Sequence, residues 1–141
     1  MPMDNIFGIA GSALNAQMAR MNTVASNLAN AGTVGGSEKD AFRAKRTVFK
    51  AVLEQQTKPS DVNYQGGVKV DAVRDDPSPV RKVSDPGNPL ADKDGFVYLS
   101  NVNEMNEMVE MMAASRSYQN NVEVVNTTRQ LMLRTLDITR S

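Results

Sequence analysis

The residues of this chain that could do chemistry are mostly oxygen donors. Asp85 to Gly95 reads DPGNPLADKDG, dense enough in acids to suggest a calcium loop. Register argues against it. With Gly95 at the required glycine, the first ligand would be Leu90 and the twelfth Asn101, neither of them a carboxylate. A solvated turn is expected there instead. Glu104, Glu107 and Glu110 could be read as paired catalytic acids, but they open a helical stretch, where a solvated acidic start complements the helix dipole. The methionines from 105 to 112 suit packing better than a cofactor box, because the flexible thioether adapts to slightly different neighbours. Gly35-Gly36 and Gly66-Gly67 lack the spacing of a phosphate loop, and the glycosylation match Asn126-Thr127-Thr128 falls inside a helix. With no His and no Cys, the usual ligands of zinc, iron–sulfur and haem are missing, as are the Ser/His and Cys/His nucleophile pairs. The chain is expected to be no enzyme and to carry no metal and no cofactor.

The elements that hold these residues are two long helical stretches at the ends. Residues 103–141 contain neither Gly nor Pro. Apolar side chains recur there with a seven-residue period, in a column through Met108, Val122 and Leu136 and another through Met111, Tyr118, Val125 and Met132. A third column holds Met105, Met112 and Leu133. Such a period suits a supercoiled helix, roughly 55 Å long at ~1.5 Å per residue. Near the start of the chain, Phe7, Leu14, Met21 and Leu28 fall seven apart, with Ala10, Gln17, Val24 and Ala31 between them. Asp4 or Asn5 is the expected cap of this first helix and Gly32 its C-terminal stop. Its small, nearly uncharged surface predicts contact on more than one side. The fold class predicted is mainly α: long N- and C-terminal helices pairing as a coiled coil, with a small β-containing, extended middle segment. The divisions expected are residues 1–33, 34–102 and 103–141, with the end helices forming one domain.

In the middle, residues 42–53 can be a strand or a short helix, VKVDAV from Val68 is a strand candidate, and GFVYL from Gly95 is another. Four prolines between Asp75 and Asp94 predict an extended or turning arm. Asn101, three residues before Glu104, is the expected cap of the long helix. Each buried Leu, Met or Val stabilises by roughly 1.5–3 kcal/mol, and pairing the two end helices leaves apolar columns uncovered. The chain is therefore expected to be an obligate oligomer, or a monomer whose ends order when they meet neighbours.

The totals add exclusions. Net charge is zero, which gives no reason to expect a nucleic acid or an acidic membrane as partner. The opening residues lack a basic n-region and carry Asp4, so no cleavable signal is expected. No run approaches the ~20 apolar residues that span a bilayer.

Ser12 to Thr33, SALNAQMARMNTVASNLANAGT, resembles the N-terminal signature of bacterial flagellar rod and hook proteins. The segments FRAKRTVF, DPGNPLADKDGFVYLSNVN and ASRSYQNNVEV, in that order, resemble the proximal-rod members of that family. The resemblance covers nearly the whole chain, but is looser around Lys39–Asp40 and from Gln55 to Tyr64. It implies a structural subunit of the basal body that is exported unfolded by the flagellar type III apparatus without a cleaved signal. That subunit would polymerise in the periplasm into a tube carrying torque from the motor ring to the distal rod and hook. The partners it implies are further copies of the chain, other proximal and distal rod proteins, and the rod–ring adaptor FliE. Carried onto this sequence, Leu14, Met21, Val24 and Leu28 would pack against Met108, Val122, Val125, Met132 and Leu136. Phe7 joins that assembly surface; Met105, Met112 and Leu133 would meet neighbouring subunits, and Arg116 and Tyr118 would make specific contacts. The alternatives are another rod paralogue or a soluble coiled-coil adaptor or chaperone.

Overall fold

The structure, a computed structural model, describes residues 2–52 and 66–140, and the side chains of residues 5–52 and 66–138. Pro2–Ala29 forms α1. Proline's fixed φ suits the first helical position, so the helix starts ahead of the caps expected at Asp4 and Asn5. It ends without a left-handed Gly32. The Asn30 amide bonds the carbonyls of Ser26 and Asn27 at 3.2 and 3.1 Å, and the Asn30 side chain donates to Ser26 O at 2.8 Å.

Five strands follow: β1 (Val34–Gly35), β2 (Lys45–Ala51), β3 (Val68–Asp75), β4 (Arg81–Ser84) and β5 (Phe96–Leu99). They form two antiparallel sheets, one ordered β1-β5-β4 and the other a β2-β3 pair. Leu99 stands between Val34 on one side and Arg81 on the other. The β2–β3 register runs from Lys45 opposite Asp75 to Ala51 opposite Val68, with an irregularity at Val48/Phe49 that leaves Asp71 unpaired in the ladder. The proline-punctuated arm thus contains a strand that sequence alone did not suggest. β4 lies between Pro79 and Pro86 at a sheet edge, where flanking prolines remove no ladder hydrogen bond. Leu53 and the rest of residues 53–65 lie outside the described residues.

The last element is α2, Glu104–Arg140. Its cap is Asn103, whose Oδ1 accepts from the Asn106 amide at 3.1 Å. Asn101, the cap expected from spacing, instead braces the middle of the molecule. Its Oδ1 accepts from the Ala44 amide at 2.7 Å, and its Nδ2 donates to the carbonyls of Asp76 and Ser78 at 3.3 and 2.9 Å. Nearby, buried Ser100 donates to the Ala31 carbonyl at 2.6 Å. Ala31, Ala44 and Val102 form a small apolar cluster with Phe42 against it. Gly35 belongs here because a Cβ would lie 2.7 Å from the Ala41 amide nitrogen.

Two sheets beside two helices make an α+β chain, which corrects the mainly α expectation. The coiled coil expected between the end helices is not what the structure shows either. α1 and α2 run antiparallel, with Asn27 bonded to Glu107 and Arg20 to Glu110. A coiled coil needs apolar knobs along its seam. Here that end of the contact is built from amide, guanidinium and carboxylate groups, with β2 reaching in beside them.

Candidate assembly interface

The interior polar site starts from Glu107, which is fully buried. A buried carboxylate is tolerable only when it is paired and hydrogen-bonded. It accepts from Arg46 Nη1 at 2.5 Å and from Asn27 Nδ2 at 2.9 Å. Asn27, also fully buried, holds the main chain of Lys45 from both sides: Oδ1 accepts from its amide at 2.8 Å and Nδ2 donates to its carbonyl at 2.9 Å. Arg46 Nε donates to Asp76 Oδ2 at 3.4 Å, and Asp76 Oδ1 accepts from the Ser78 amide at 2.9 Å. One network therefore ties α1, α2, the start of β2 and the end of β3. Burial works to lower the Arg46 pKa, but hydrogen bonding and charge from Glu107, then Asp76, carry it above its ordinary value. The expectation of a solvated Glu107 is corrected. A signal for it existed: Glu107 lies four residues before Met111 and eleven before Tyr118, on the apolar column's own face.

Two carboxyls, Asp76 at the edge of this network and Asp92 outside it, carry a pH dependence. Hydrogen bonds from Ser78, helped by Arg46, hold Asp76 below the usual carboxylate range. Hydrogen bonds from the Phe96 and Asp94 amides, with Tyr98 and the Lys82 charge, hold Asp92 below it too. Groups with a depressed folded-state pKa stabilise above the unfolded value of ~4 and lose that stabilisation as pH falls through the folded value. The unfolding midpoint is therefore expected to be flat above pH ~5 and to fall below pH ~4. The acid-side fall should be shallower in Asp76→Asn, as read from urea unfolding across a pH series.

The residues proposed from sequence for assembly divide into two groups. Val24 is buried; Phe7, Leu14, Met21 and Leu28 on α1, and Tyr118, Val122, Val125 and Met132 on α2, are half-buried. The buried α2 positions, Glu107, Ala114 and Thr128, fall at multiples of seven, and half-buried Met111, Tyr118, Val125 and Met132 lie in the same row. Met108 and Leu136, expected to pack against α1, are 53% and 56% exposed and fall outside that row. The α1-facing row is one position earlier than the Met108 column, because Glu107, held by Asn27 and Arg46, takes the inward place. Met105, Met112, Leu133 and Arg116 are exposed.

The exposed area is large for the mass. A folded monomer of 15.4 kDa should expose about 7,200 Å², whereas this chain exposes 10046 Å². Allowing residues 53–65 the full area of an extended chain still leaves a surplus of roughly 1,300 Å². A specific interface takes about 800 Å² from each partner, so the surplus covers one such contact and part of a second. No helix among the described residues is long and apolar enough to cross a membrane.

Two family descriptions match separate ends of the chain. "Flagella basal body rod protein" matches residues 7–35, and "Flagellar basal body rod FlgEFG protein C-terminal" matches residues 93–138. Over its whole length the chain is similar to the flagellar basal-body rod protein FlgC of Yersinia enterocolitica, 51% identical over 140 residues and 98% of each chain. It is 49% identical over 138 residues to the protein of that name from Salmonella typhimurium, again over 98% of each. The one from Buchnera aphidicola subsp. Schizaphis graminum is 40% identical over 140 residues, also over 98% of each chain.

Proposed function

The chain belongs to the family of flagellar basal-body rod proteins FlgC, and from that premise we propose how it works as a structural subunit of the rod. It is not an enzyme. It polymerises with further copies and with other proximal and distal rod subunits into a tube across the periplasm. That tube transmits torque from the motor ring to the distal rod and hook. Its base meets the rod–ring adaptor FliE, and the chain reaches its place through the type III export apparatus without a cleaved signal. Residues 1–33 and 103–141 build the wall, and residues 34–102 supply outer contacts.

One observation carries this reading: apolar side chains line outward faces of both helices. Ile6, Ile9 and Met18 are exposed on α1, and Met105, Met108, Val109, Met112, Leu131 and Leu133 on α2. A solitary soluble chain gains nothing from so many, whereas a wall of packed helices buries them. The interior network fits a load-bearing part, since it joins both helices to β2 through hydrogen bonds that must break together. The test is deletion of the gene with imaging of the cell envelope. Rod, hook and filament should be lost while the inner-membrane ring remains; a complete rod in the deletion strain would contradict the proposal.

A further inference from the structure

The two helices carry different outward faces. On α2, Met105, Met108, Val109 and Met112 are 70%, 53%, 54% and 63% exposed, and their spacing places them on one face, opposite Glu107 and Met111. On α1, Met18, Asn22, Ala25 and Ala29 are exposed, follow a four-and-three spacing, and lie opposite Val24 and Asn27. This α1 face is uncharged, and its two alanines leave shallow places that a longer side chain can fill. The bonds from Asn27 to Glu107 and from Arg20 to Glu110 set the levels: Met105 stands level with Ala29, Met108 with Ala25, and Met112 between Met18 and Asn22.

We infer that the methionine face of α2 in one copy packs on the Met18–Ala29 face of α1 in the next copy. This rests on the rod reading and goes further, naming the two faces and the partner. A second copy is the occupant because the long, flexible face and the small-residue face stand on opposite sides of one helix pair at the same height. Side-by-side repetition brings them together without a shift. The α1 face holds no charge, and Arg116, one turn beyond Met112, bounds the methionine face at the end where its long side chain can reach water. The surplus area of roughly 1,300 Å² covers one such face given and one received at the low end of specific interfaces, about 600 Å² from each partner. Because the paired patches differ, the contact is heterologous, and it propagates as a ring or a helical wall rather than closing as a two-fold dimer.

The chain has no cysteine of its own, so engineered pairs report cleanly. Met108→Cys with Ala25→Cys, and independently Met112→Cys with Asn22→Cys, are introduced and oxidised in isolated basal bodies. Each double variant is expected to give a ladder of dimer, trimer and larger species of this chain, and none of the four single variants should give a dimer. Swimming cells whose basal bodies show no ladder from either pair would overturn the contact while leaving the rod reading intact. A dimer from Met108→Cys alone would overturn it in favour of a two-fold interface. Absence of the chain from basal bodies would instead defeat the rod reading itself.

Discussion

Arg46→Met is expected to lower the unfolding free energy by about 3 kcal/mol, the low end for removing one partner of a buried ion pair. The penalty lies at Glu107, not at the arginine. The Arg46 side chain is 43% exposed, whereas that of Glu107 is fully covered. Without the guanidinium, the carboxylate keeps only Asn27 Nδ2, which it already shares with the Lys45 carbonyl. The reverse substitution, Glu107→Met, should be milder, because Arg46 keeps Asp76 and its access to water. The double variant should recover much of the loss, since replacing both partners with apolar groups leaves no stranded charge. Urea unfolding of the three variants checks the order, and a Glu107→Met loss equal to or above that of Arg46→Met would refute it.

Asn27→Ala should also be costly, by about 3 kcal/mol, for a different reason. The amide side chain satisfies the Lys45 N–H, the Lys45 carbonyl and one Glu107 oxygen at the same time. Alanine leaves all three without that partner, and each unsatisfied buried group costs about 1–3 kcal/mol less whatever water can reach it. The local signature is exchange of the Lys45 amide hydrogen, which should become much faster than that of its neighbours on β2. An unchanged Lys45 exchange rate would mean that the side chain does not hold β2 as described.

The ends of the molecule were legible because helical periodicity and the absence of Gly and Pro speak directly about local conformation. β3 and β5 were legible for a related reason, as short β-branched and aromatic runs opened by glycine. What periodicity could not provide was partnership. Glu107 reads as one more acid in a helix's first turn until Asn27 and Arg46, 80 and 61 residues away, are brought to it. Asn101 has the residue type and spacing of a cap, and only the fold shows it serving the Ala44 amide instead. β4 was hidden by its prolines, because the rule that bars them from a central strand says little about a strand lying between them. The coiled coil was over-read from a seven-residue period. That period shows which side chains share a face, but not what the face meets.

The central claim is that the exposed helix faces are covered only in the assembled rod, and methionine oxidation footprinting tests it most directly. Met105, Met108 and Met112 should convert readily to sulfoxide in the dilute purified chain, where they are exposed. In isolated basal bodies the same three should be protected. Equal oxidation of all three in both preparations would contradict the claim.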